Sequence, residues 1–171
     1  MTRIAIVGIS GSGKSTLARK IGEKLTVPVI HLDKIFWDVG WKERYSTREE
    51  FNAAVNKIAE EKDWIIDGNY RASLDNRLEK ADAIVFLDFP KWLGLWRSFK
   101  RVFNRKQPFD KAEGVKERID FAHVRFVLSY SNHEMYARVE KYKDTKKVYI
   151  VRNDREKQAL LANIEAQSPA L

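Results

Sequence analysis

Nine residues near the N-terminus, Gly8-Ile9-Ser10-Gly11-Ser12-Gly13-Lys14-Ser15-Thr16, constrain this chain more than any other stretch. They follow an apolar, β-branched run at 3–7. They open a segment, Lys14 to Leu25, in which Leu17, Ile21 and Leu25 recur at intervals of four. A strand, a glycine-rich turn and an amphipathic helix in that order form a phosphate cradle. Gly8, Gly11 and Gly13 let the backbone turn tightly and aim its amides inward, and the helix start adds its own amides and dipole. In such a loop Lys14 sits between the β- and γ-phosphates, the Ser15 hydroxyl ligates magnesium, and Thr16 lies near the α-phosphate. The expected cofactors are ATP and Mg2+, with Gly8, Ser10, Gly11, Ser12, Gly13, Lys14, Ser15 and Thr16 as the binding residues. A guanine-selecting Asn-Lys-x-Asp stretch is missing, since Asn56-Lys57-Ile58-Ala59 lacks the acid. ATP is therefore favoured over GTP.

Downstream, apolar runs alternate with helical periodicity. Strands are expected at 27–31, 64–67, 83–87 and 147–151. Residues 33–45 are aromatic and read as irregular. Ser46-Thr47-Arg48-Glu49 reads as a capping box opening a helix to about residue 62. A short helix is expected at 72–80, and Pro90 starts a helix running to about residue 104. Residues 105–114 read as a polar loop, two helical segments fall within 116–142, and Asn153 with Glu156 caps a last helix. This alternation predicts a single domain over 1–171 with a three-layer α/β/α fold: a five-stranded parallel sheet, helices on both faces, and a helical lid.

The chain has no cysteine, which excludes disulfides, thiolate metal sites and cysteine nucleophiles and is compatible with the cytoplasm. No apolar run approaches the roughly 20 residues of a spanning helix, so no membrane partner is expected. The apolar stretch at 4–9 runs straight into the glycine-rich loop, unlike a signal peptide. Net charge is +8, and the excess is local: residues 91–152 carry 16 basic and 7 acidic side chains. Such a segment attracts phosphates, on a nucleotide or on nucleic acid.

Phosphoryl transfer needs a carboxylate near the metal and another near the acceptor. Asp33, Asp67 and Asp88 fall at or just beyond expected strand ends, where ligands bind in parallel sheets. Asp67 suits a water-mediated magnesium contact and Asp33 an acceptor hydroxyl. Asp88 is the weakest of the three. His31 stands beside Asp33 to line the acceptor pocket. Phe36, Trp37 and Trp41 either stack on an acceptor ring or pack a loop onto the sheet, packing being favoured. Trp92 and Trp96, four apart, and most aromatics of 91–152 read as helix packing.

The loop, Trp64-Ile65-Ile66-Asp67-Gly68-Asn69-Tyr70-Arg71 and Phe86-Leu87-Asp88-Phe89-Pro90 together resemble the adenylate-kinase-like branch of P-loop kinases. That resemblance implies that Asp67 touches the magnesium waters and Arg71 the acceptor phosphates. Asn69-Tyr70 replaces the family's Phe-Pro, which puts an ordinary nucleoside-monophosphate acceptor in question. It also implies that Arg97 and Arg101, seven and eleven residues beyond Pro90, meet the base and phosphates of ATP. Arg105 and Lys106 open a lid at about 104–116, with a later lid arginine at Arg118 or Arg125. A closer likeness runs from residue 1 to about 151. His31-Leu32-Asp33, Trp37, Trp41, the 64–70 stretch and Asp75-x-Arg77-Leu78 are similar to bacterial DNA topology modulation (FlaR-like) proteins, which implies an effect on DNA topology.

The leading expectation is an ATP-dependent kinase acting on a nucleotide, nucleoside or other small hydroxyl or phosphate acceptor. Lys14, Asp33, Arg71, Arg97 and Arg101 are its catalytic candidates, and Ser15 and Asp67 its metal site. The alternative is an ATP-dependent regulator that contacts DNA through 91–152.

Overall fold

Short β-branched runs, buried in the three central strands and half-buried at the two edges, build a five-stranded parallel sheet in the order β2-β5-β1-β6-β7. These strands are β1 (Arg3–Gly8), β2 (Val29–His31), β5 (Trp64–Asp67), β6 (Ala83–Leu87) and β7 (Lys147–Val151). The computed structural model describes residues 2–38, 42–103 and 121–167. The expected lid at 104–116, with Arg105, Lys106 and Arg118, lies outside the described residues, as does Trp41. β1 is central, pairing Ile6 with Asp67 of β5 and with Val85 of β6. Its residues from Ile4 to Val7 are almost wholly buried, as both faces of a parallel sheet require.

Helices complete a three-layer α/β/α arrangement. Helix α1 (Lys14–Leu25) packs on β5 and against the last helix, α8 (Asp154–Gln167). α3 (Arg48–Ala59) and α4 (Leu74–Lys80) lie together, with α4 against β1. After β6 come α5 (Lys91–Phe103), α6 (Phe121–Ser129) and α7 (Asn132–Glu140). Asn153 accepts from the Glu156 amide at 2.9 Å, so the expected cap of α8 is present.

Several expected boundaries shift, each for a local reason. β2 begins at Val29 instead of residue 27, because Thr26 adopts φ 53° and the Val27 amide closes back on the Gly22 carbonyl at 3.1 Å. Those residues end α1. The capping box is Thr47 with Glu50, one residue later than the sequence suggests. The Thr47 hydroxyl accepts the Glu50 amide, and the Glu50 carboxylate accepts the Thr47 amide. α3 stops at Ala59, where bonds from Glu60 to Lys57 and from Glu61 to Ile58 tighten the chain into a turn toward β5. The "irregular" segment contains a helical turn, α2 (Leu32–Phe36), and a small antiparallel pair, β3 (Trp37–Asp38) with β4 (Lys42–Glu43). A 3₁₀ turn, Arg71–Ser73, precedes α4.

The largest correction concerns the aromatics of α5 and α6. Trp92 is 69% exposed and Trp96 50%, and Phe99, Phe121 and Phe126 are also exposed. These aromatics were expected to be core. α5 instead turns Gly94 and Ser98 inward, so that its backbone comes close to the glycine-rich loop, and the bulky side chains face out.

Candidate active site

The glycine-rich loop leaves β1 at Gly8 and returns into α1 at Lys14. Gly8, Gly11 and Gly13 have φ of 142°, 80° and 92°, a region L side chains rarely adopt. At Gly11 space is also decisive. A Cβ there would lie 2.1 Å from the Gly94 carbonyl oxygen, and one on Gly94 would lie 2.5 Å from the Ser10 carbonyl oxygen. α5 therefore backs the loop through backbone-to-backbone contact that only two glycines permit. Gly94 carried no signal in the sequence, because its role depends on a partner 83 residues away.

Within the loop the Ser12 amide closes a turn on the Ile9 carbonyl at 3.2 Å, and the Ser12 side chain is fully buried. Ser10 is half-buried, and Thr16 is exposed at the first turn of α1. Lys14 Nζ lies over the loop and donates to the Ile9 carbonyl at 3.0 Å. Ser15 Oγ donates to Asp67 Oδ2 at 2.7 Å, and the other carboxylate oxygen meets His31 Nδ1 at 2.5 Å. His31 and Asp67 are register partners on β2 and β5. His31 is thus fixed on the metal candidate Asp67.

The four residues from Asp67, the last of β5, to Tyr70 reach three parts of the site. Asp67 meets Ser15 and His31. Asn69 bonds the Gly8 backbone twice, accepting its amide at 3.1 Å and donating to its carbonyl. The Tyr70 hydroxyl donates to Asp33 Oδ1 at 2.8 Å. Burial foremost, and then the Asp33 charge, push the Tyr70 hydroxyl well above the ordinary phenol range, so it remains a donor. Its ring lies 4.7 Å from Phe51 and 5.2 Å from Phe36, both fully buried. Phe36 is therefore core, as favoured, while Trp37 stays half-buried at its edge.

Holding this segment is Arg77, whose side chain is fully buried. Its guanidinium donates to the carbonyls of Gly68 and Tyr70, each at 3.0 Å, and of Ser73 at 3.3 Å. Desolvation lowers its pKa to about 10, against the opposing pull of the Asp67 charge. The sequence offered Arg77 only as part of a motif.

Arg97 joins the loop to the last helix. It donates to the Ser12 carbonyl at 3.4 Å and to Asp154 Oδ2 at 2.5 Å, and lies over the Phe89 ring. Lys157, also paired with Asp154, stands beside Gly13 and was not foreseen. Arg101, one turn beyond Arg97, donates to Ser98 Oγ at 3.4 Å. Arg71 is largely exposed and paired with Glu134 of α7 at 2.7 Å. Asp88 is taken up by α7, accepting from Asn132 and from the Tyr136 hydroxyl. It anchors that helix to the end of β6.

A glycine-rich loop between the central strand and α1, with a carboxylate at the end of the neighbouring parallel strand, defines a P-loop nucleotide-binding fold. Residues 4–161 match the family described as AAA domain, and the chain belongs to that family. No curated protein matches it in sequence. In structure it is similar to a shikimate kinase from Acinetobacter baumannii (TM-score 0.57, 19% identity, 98% of this chain and 95% of that one). It is also similar to a gluconokinase from Sinorhizobium meliloti 1021 (TM-score 0.55, 19% identity, 96% and 94%). A third similar structure is a deoxyadenosine kinase from M. mycoides (TM-score 0.53, 14% identity, 98% and 100%). At these identities the likeness concerns the fold. Among the described residues no helix is long and apolar enough to cross a membrane.

Proposed function

We propose that this protein is an ATP- and magnesium-dependent kinase that transfers the γ-phosphoryl group to a small acceptor. The observation that carries this reading is a pair of side-chain hydrogen bonds made by one segment, residues 67–70. Ser15 of the loop bonds Asp67, and three residues on, Tyr70 bonds Asp33. In this reading Asp67 serves the nucleotide side and Asp33 the acceptor side, and the one segment meets both. Ser15 Oγ and Asp67 Oδ2 are hard oxygen donors, suited to magnesium directly and through water. When bound, the ion neutralises charge on the β- and γ-phosphates. Lys14, Arg97 and Arg101 stabilise the charge of the transferring group. Asp33 orients the acceptor hydroxyl and takes its proton as the acceptor oxygen bonds to the γ-phosphorus and ADP leaves. Arg71 positions the acceptor once released from Glu134. The chain is in this respect adenylate-kinase-like, and its cysteine-free composition and its use of ATP fit the cytoplasm. The fold likeness to kinases of shikimate, gluconate and deoxyadenosine supports a small-molecule or nucleoside acceptor.

The test is ADP production from ATP and magnesium across a panel of nucleosides, nucleoside monophosphates and small hydroxyl metabolites. One acceptor class is expected to raise the rate well above that without acceptor. ATP binding with no stimulation by any member would point instead to a nucleotide-regulated binding protein.

One observation favours that second reading, the FlaR-like one. α5 and α6 carry five Lys or Arg and no acidic residue, and among the described residues they hold every exposed large hydrophobic side chain. A polyanion such as DNA fits this face. Fluorescence anisotropy on a labelled duplex is then expected to show affinity falling steeply with salt, as phosphate contacts release counterions. No binding at low salt, or a flat salt response, would remove this reading.

A further inference from the structure

We propose that Asn69 is a positioning residue for the phosphate loop: its side-chain amide stands in for a missing peptide group and carries the β1–β5 pairing one step further, to Gly8. This rests on the nucleotide reading of the loop and not on the identity of the acceptor. Register pairing of β1 with β5 ends at Ile6 opposite Asp67. The Gly68 amide then reaches back to the Ile6 carbonyl at 3.4 Å, and the backbone of β5 turns away, with Gly68 at φ 137°. Gly8 still has a donor and an acceptor pointing toward β5. The Asn69 carboxamide meets both, its Oδ1 accepting the Gly8 amide and its Nδ2 donating to the Gly8 carbonyl.

Only a carboxamide can do this from one side chain. A carboxylate lacks the donor, an aliphatic side chain lacks both groups, and a hydroxyl is too short to span the two backbone atoms. On its other side Gly8 is paired in register with Leu87 of β6. Gly8 is therefore held on one side by β6 and on the other by the Asn69 side chain, at the residue where the chain leaves the sheet with φ 142°. That residue sets where the following amides of the loop point. Arg77 holds the carbonyls of Gly68 and Tyr70 on either side of Asn69, so the clamp is itself braced. In the adenylate-kinase-like pattern this position is Phe.

The experiment measures binding of magnesium with AMP-PNP, ADP and AMP by calorimetry to wild type and Asn69→Leu, well below either unfolding temperature. The expected result is a loss of about tenfold or more for the polyphosphates, about that of one to two hydrogen bonds, with AMP changed by less than about twofold. Equal affinities in the two proteins, or a proportional loss for all three nucleotides, would overturn the proposal, because simple destabilisation does not distinguish phosphate number. If Asn69→Leu does not fold, hydrogen exchange on the wild type decides. The Gly8 amide is expected to be as protected as that of Ile6, and free exchange at Gly8 overturns the clamp. A wild-type chain that binds AMP and AMP-PNP alike would overturn the phosphate-loop reading itself, and with it the role of Asn69.

Discussion

Lys14→Ala is expected to lower ATP turnover by about a hundred- to a thousandfold, the usual effect of removing one preorganised charge from a transition state, while leaving the fold intact. The side chain begins at the first residue of α1 and crosses the loop to the Ile9 carbonyl, so its stem is not part of the core. A phosphate in the loop offers the ammonium a far stronger, charge-assisted partner than that carbonyl. The loss should fall on turnover more than on nucleotide binding, because charge on the γ-phosphoryl oxygens develops in transfer. Lys14→Arg is expected to restore little, since a planar fork does not replace a compact point charge. The check is ADP production at saturating magnesium-ATP, alongside thermal unfolding. A Lys14→Ala protein that turns over like wild type would mean that hydrolysis does not occur at this loop.

Arg77→Leu is expected to destabilise the fold by about 3 kcal/mol, as three buried carbonyls lose a charged donor. For a chain of this size that corresponds to a fall in Tm of roughly 6–12 °C. The loss of the guanidinium's own desolvation cost offsets part of the effect, which is why the expected figure is below the sum of three such bonds. Arg77→Lys should recover little, because one ammonium cannot span carbonyls at Gly68, Tyr70 and Ser73. Burial lowers the group's pKa from its ordinary, higher value to about 10. The unfolded chain therefore holds this proton more tightly, and the group's contribution to stability rises with pH only above that value. At neutral pH it adds no slope, so the wild-type and Arg77→Leu stability curves should run parallel there. Urea unfolding at several pH values checks both points, and a mutant as stable as wild type would show that Arg77 does not hold the 68–73 segment.

Much of the fold was legible because it is written in local chemistry. The runs at 64–67, 83–87 and 147–151 are continuous and β-branched, and α1 shows its apolar face at intervals of four. Asn153 and Glu156 cap α8 over three residues. Where a boundary moved, a local bond moved it, as when Thr26 and Val27 close back on Gly22 and finish α1 before β2 can begin. The site was legible where spacing carries the chemistry, as in the loop from Gly8 to Thr16 with its strand and helix. Asp67 and Asp33 were singled out because ligands collect at strand ends; in the fold Asp67 bonds Ser15 of the loop and Asp33 bonds Tyr70. Trp92, Trp96, Phe99 and Phe126 were misread because helical spacing reveals a stripe without saying which way it faces.

By itself, then, the sequence determined a parallel α/β chain with a phosphate loop on its first strand, since glycine torsions, helix periodicity and strand composition act over a few residues. Tertiary structure decided which groups meet that loop: Gly94 against Gly11, Asn69 on Gly8, Asp67 between Ser15 and His31. Those contacts join residues tens of positions apart. They depend on strand order, register and the direction in which each helix faces, and these are fixed only when the whole core packs.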